Sequence, residues 1–105
     1  MKKIKITLVK RLNRDEIRAD SNLGCSARPT SLCPAFVEGQ EFIVTTGQPE
    51  GFCQGAWADI YRHITVLRWG GHYPWMNEKG KYLACCTDGF RPVVFRLEVL
   101  DEEVE

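Results

Sequence analysis

The sequence predicts an α+β domain in which a small antiparallel sheet of about four strands packs on one amphipathic helix, in the order β-β-α-β-β. Three observations carry this reading. Apolar and polar residues alternate over residues 3–9, the period of a half-buried strand. Apolar residues recur at steps of three and four between Phe52 and Trp69, the period of a helix with one buried face. Near the end of the chain, two apolar runs flank Asp88-Gly89, a turn signal that makes them a hairpin. A length of 105 residues suits a single domain, 1–105, with one modest core.

In the first strand, Ile4, Ile6 and Leu8 share one face, and Lys3, Lys5 and Thr7 share the other. The segment "RDEIRAD" that follows reads as a short helix or a loop. Residues 21–34, "SNLGCSARPTSLCP", have the Ser, Gly, Asn and Pro content of irregular chain. A loop of that length in a small domain is uncommon unless it has a task. Glu38-Gly39 supplies a turn, and Glu41 to Thr45 reads as the second strand, with Phe42 and Val44 on one face.

The helix places Cys53, Ala56, Trp57, Ile60, Tyr61, Ile64 and Leu67 on its apolar stripe. Gln54, Gly55, Asp59 and Arg62 fall opposite, and Gly70-Gly71 ends it. Tyr82 to Thr87 forms the third strand. Val93, Phe95, Leu97 and Val99 form the apolar face of the fourth, with Pro92 at its start or on an edge. Trp57, Trp69, Tyr73 and Trp75 are expected to cluster around the helix end, as core packing or as the wall of a pocket.

Hydrophobic content of 44% with 27% charged residues is that of a globular protein. Fourteen basic and fourteen acidic residues cancel, which argues against nucleic acid as a partner, since phosphate binding needs excess Lys and Arg. Zero net charge also gives little protection against self-association, so a homo-oligomer is a candidate state. The charges are segregated: Lys2, Lys3, Lys5, Lys10 and Arg11 open the chain, and Glu98, Asp101, Glu102, Glu103 and Glu105 close it. Either both ends are solvated, or the two terminal strands lie side by side with complementary charge. No apolar run reaches the ~20 residues of a membrane helix. The opening "MKKIKITLVK" lacks a signal-peptide core, so no membrane and a cytoplasmic location are expected.

Five cysteines in a reducing compartment read as thiols or metal ligands rather than disulfides. Cys53 falls in the first turn of the helix, where unpaired backbone N–H groups and the helix dipole favour a reactive thiolate; equally, it lies on the apolar stripe, where it would be a small inert hydrophobe. Cys85 and Cys86 are strand neighbours and point to opposite faces, so at most one meets the core. Cys33 precedes Pro34 and is pushed toward extended backbone. Thiolates are good zinc ligands, and Cys33, Cys53, Cys85 and Cys86 would supply up to four, with Cys25, His63 or His72 in reserve. There is no CxxC pair, and gaps of seven, nineteen and thirty-one residues match no zinc ribbon or ferredoxin spacing. His63 follows Asp59 by four residues and reads as an interfacial residue near that carboxylate, with a general base as the sharper alternative. His72 reads as an exposed loop residue.

The segments "CPAFVEGQEFIV", "PEGFCQGAWADIYRHI" and "ACCTDGFRPVVFRLE" resemble a family of small prokaryotic proteins of about this length. Its marks are a Cys-Pro before a Gly-containing strand, a Phe-Cys helix start followed by Ala-Trp, and a terminal CCTDG-x-RPV-x-F signature. The resemblance runs from Cys33 to Glu98, about two thirds of the chain, and departs from the family at Gly55. It implies no particular activity. It does imply that Cys33, Cys53, Cys85 and Cys86 come as a set, and that Asp88 and Arg91 brace the turn.

Two functions follow from these readings. The first is a cysteine-based metal site, holding zinc or iron, or a thiol-redox site, gathered where the helix start meets two strand ends. The second is a non-catalytic interaction or self-associating module with buried structural cysteines. An enzyme with Cys53 as nucleophile and His63 as base ranks last, because ten residues of helix hold the two about 15 Å apart.

Overall fold

A computed structural model describes residues 1–24 and 30–105. Four strands, β1 (Lys2–Arg11), β2 (Glu41–Val44), β3 (Lys81–Cys85) and β4 (Val93–Glu103), form one sheet of order β2-β1-β4-β3, antiparallel throughout. Two helices, α1 (Arg14–Ser21) and α2 (Gln54–Arg68), complete the described elements. The expected α+β architecture is present, with strands, α2 and strands in the expected order and α1 as an addition.

One face of the sheet carries the core. Ile4, Ile6 and Leu8 of β1, Val44 of β2, Ala84 of β3 and Val93, Phe95 and Leu97 of β4 are buried, and α2 lays Ala56, Ile60, Ile64 and Leu67 across them. Removing each large side chain from water contributes ~1.5–3 kcal/mol, so this layer is the main source of stability. Four phenylalanines close one end of the layer. Phe36 meets Phe52 and Phe95 at ring-centroid distances of 5.0 and 5.2 Å, and Phe42 meets Phe52 at 4.9 Å.

The terminal strands are neighbours. Lys2 pairs with Glu103 across β1 and β4, and the Met1 ammonium, Lys2 and Lys3 lie 2.9, 3.1 and 3.1 Å from Glu103, Asp101 and Glu102. The segregated end charges therefore complement each other across the ladder. These pairs are largely exposed, so they fix register more than they add stability.

Helix α1 has no buried residue and is held by its ends. The Asn13 side chain accepts the Asp15 N–H at 2.7 Å, and Asn22 turns left-handed at φ 58° to close the last turn. The α2 terminus is a Schellman motif: Gly70 at φ 89° donates to Leu67, and Gly71 donates to the Val66 carbonyl at 2.8 Å.

Two expectations about side chains change, and one buried cation is new. Tyr61, assigned to the apolar stripe, is half exposed, because the stripe turns away from the sheet there. The aromatic cluster divides. Trp57 stacks with Phe52 and Tyr61 near the helix start, Tyr73 and Trp75 join Tyr82, and Trp69 is left 68% exposed past the helix end. Arg68, the last residue of α2, is buried at 5% exposure and donates to the Lys2 and Thr45 carbonyls.

Candidate functional site

Beside the phenylalanine cluster lies a pocket of about 600 Å³, within the range that binds small molecules. Three segments build it: Cys33 to Phe36 before β2, the first turns of α2 from Cys53 to Asp59, and the β3–β4 connection from Cys86 to Val93. Its floor is the core itself, through Phe36, Ala56 and Val93. Three of the four expected site cysteines, Cys33, Cys53 and Cys86, line this one cavity, each half-buried and free of disulfide.

Each cysteine is placed by its local chain. Cys33 is fixed through its carbonyl, which accepts from Arg11 at 3.1 Å. Arg11 is itself locked to Glu38, whose carboxylate takes the Arg11 backbone N–H at 2.8 Å and Nε at 2.9 Å. Cys53 is the N-cap of α2 rather than a first-turn residue, with extended backbone at φ −66° and ψ 126°. Its carbonyl accepts the Trp57 N–H, while its side chain makes no capping bond, unlike the Ser, Thr or Asp usual at this position. Cys86 stands just past the end of β3. Its N–H donates to the Val93 carbonyl at 3.0 Å, and its sulfur accepts the Val93 N–H at 3.3 Å.

Cys85 does not line the pocket. Strand alternation sends it to the other side, where it is exposed. Partial desolvation of its sulfur, with the Cys86 thiol beside it, pushes the Cys85 thiol above its ordinary value. Cys25 lies outside the described residues.

Gly55 and Asp59 belong to the pocket wall, although helical spacing placed them on the solvent face. Asp59 reaches across to the β3–β4 connection and accepts the Thr87 N–H at 2.7 Å. Asp88 turns that connection by accepting the Phe90 and Arg91 N–H groups at 3.0 and 3.4 Å, the bracing expected of it. Arg91 also lines the pocket; it bonds the Thr30 hydroxyl and stands 3.8 Å from Asp88.

His63 takes no part. Its Nδ1 lies 2.6 Å from the Tyr73 hydroxyl, in a ring cluster with Tyr82, and Asp59 is engaged elsewhere. Desolvation, then the Arg62 charge, holds His63 below its ordinary value, and desolvation, then Tyr82, raises Tyr73. His72 is exposed in the loop, as expected.

Thiols and carboxylates are a donor set that suits zinc or iron chemically. As placed, however, no three His, Cys, Asp or Glu side chains among the described residues stand close enough together to hold an ion. The cysteines frame a cavity rather than a closed ligand shell. Among the described residues no helix is long and apolar enough to cross a membrane. No family model matches the chain, and no curated protein or solved structure matches it.

Proposed function

We propose that the pocket is a thiol-redox site, in which Cys33, Cys53 and Cys86 exchange with a small sulfur compound. The observation that carries this reading is that three thiols from three separate segments line one cavity large enough for a small molecule. Cys53 stands at the N-terminus of α2 with its side chain uncommitted to the cap, and the Cys86 sulfur accepts the Val93 N–H.

The chemistry balances in two steps. A pocket thiolate attacks one sulfur of a low-molecular-weight disulfide, forming a protein–substrate disulfide and expelling a thiolate. A second pocket cysteine then attacks the protein sulfur of that bond. Its proton and the electron pair of the broken bond leave as a second substrate thiol. The protein keeps an internal disulfide, which an external dithiol reduces again.

The test is a thiol titration of folded protein purified without oxygen, beside elemental metal analysis. In a Cys85→Ser protein, which lacks the exposed surface thiol, two or three thiols are expected to react in the folded state; Cys33→Ser, Cys53→Ser or Cys86→Ser should slow disulfide exchange, and Cys85→Ser should leave it unchanged. Thiols that react only after denaturation would refute the reading. Near-stoichiometric zinc or iron with masked thiols would replace it with a metal centre.

A second reading, self-association, rests on the exposed Trp69, Trp75 and Leu83. Sedimentation of a W69S/W75S variant tests it: a larger species in the wild type that is lost in the variant favours association, and a wild-type monomer excludes it.

A further inference from the structure

Among the described residues Arg91 is the cation that lines the pocket, and it is mostly buried, with a side chain 13% exposed. Its hydrogen bonding is incomplete. One terminal nitrogen serves the Thr30 hydroxyl, while Nε is buried without a hydrogen-bond partner, because the nearest Asp88 oxygen stands 3.8 Å away. Asp88 accepts the Phe90 and Arg91 backbone N–H groups on Oδ1 and turns Oδ2 toward Arg91 at ion-pair rather than hydrogen-bond distance, and the pocket's other carboxylate, Asp59, accepts from Thr87. A buried guanidinium donor left unfilled is costly, and a planar oxyanion satisfies it best, since two of its N–H groups match a carboxylate fork.

We infer that the pocket selects a carboxylate-bearing disulfide, with Arg91 binding the carboxylate while a pocket cysteine attacks the sulfur. This rests on the thiol-redox reading and adds the substrate class. Thiolate attack on the bound disulfide forms the protein–substrate bond and releases the other half as a carboxylate-bearing thiolate, so atoms and electrons balance as above. The pocket's carboxylates and thiolates by themselves would favour a cationic disulfide, so preference for an anion is diagnostic.

The experiment compares three disulfides with the reduced full chain: dithiodipropionate, the neutral bis(hydroxyethyl) disulfide, and the dication cystamine. Each rate is divided by the rate of the same compound with N-acetylcysteine at equal pH and ionic strength. Wild type should prefer dithiodipropionate over the neutral compound by about tenfold. Arg91→Gln should abolish that preference and Arg91→Lys should keep part of it, with thermal melts confirming that both variants fold. Equal normalised rates, or preference for cystamine, would overturn the assignment and leave the thiol reading standing. A preference that survives in Arg91→Gln would also overturn it, and the wild-type series decides even if the variants misfold. No reaction with any of the three overturns both.

Discussion

Arg68→Met isolates the one buried cation that α2 drives into the sheet. In the wild type its guanidinium donates to the Lys2 carbonyl at 3.3 Å and to the Thr45 carbonyl, near the ends of β1 and β2. Methionine keeps much of the apolar stem and removes both donors. Hydrogen bonds from a charged donor contribute ~1.5–3 kcal/mol each, so the gross loss is about 3–6 kcal/mol. Removing the charge also removes a desolvation penalty of about 1–3 kcal/mol, which leaves a net cost of about 2–3 kcal/mol. Urea unfolding followed by circular dichroism reads this directly. At a slope of about 1–3 kcal/mol/M, the midpoint should fall by about 1–2 M with the slope unchanged. A Met variant as stable as the wild type, or more so, would refute the reasoning, because the carbonyls would then cost nothing when Arg68 is gone.

Further substitutions probe the Cys33 loop and the end of α2. The Arg11 backbone N–H, then the Glu38 backbone N–H and the Arg11 side chain, hold Glu38 below its ordinary value of 4.5. The carboxylate's contribution is therefore present above 4.5 and is lost as pH falls through the lower folded value, so Glu38→Gln should flatten the acid-side fall of the melting temperature. A parallel fall in both proteins would discard the link between Glu38 and the Cys33 loop. Gly71→Ala would place a Cβ 2.6 Å from Val66 Cγ1 and 2.7 Å from its carbonyl oxygen. It should cost roughly 1–3 kcal/mol in a chemical melt, while Gly47→Ala, which meets open space, should stay within about 0.5 kcal/mol of wild type.

The parts of the fold legible in the sequence are those that a period encodes. Alternation in β1 and β4 follows from a sheet with one buried face, and the three-four spacing of α2 follows from a helix lying on it. What a period cannot encode is a single anchor. Phe36 is 1% exposed, yet it sits in a connecting segment with no repeat to mark it. Arg68 reads as an ordinary cation near a helix C-terminus until two strand ends are known to meet there. Helix α1 reads equally as helix or loop because nothing in it is buried; local caps, not packing, decide it. The same logic divides the site. Strand alternation already separates Cys85 from Cys86. Asp59 is invisible because its partner, the Thr87 N–H, lies 28 residues away and exists only once the hairpin stands beside the helix.

The position of the three thiols bears on whether they are filler. A cysteine used as a small hydrophobe is closed over by its neighbours. Here the fully closed positions at this end of the core are taken by Phe36, Phe52, Phe95 and Val93, and Cys33, Cys53 and Cys86 stand one layer above them, half-buried at the cavity wall. Side-chain contacts tie two of the cavity's walls in place: Arg11 locks the Cys33 loop to β1, and Asp59 links α2 to the β3–β4 connection. Those ties hold the walls apart as well as together. A core that needed only volume could have collapsed onto a larger side chain at Gly55, where an added Cβ meets nothing nearer than the Cys53 sulfur at 3.9 Å. An open space beside three thiols and an arginine with an unfilled donor is what the proposed thiol site requires and what a core of structural cysteines does not need.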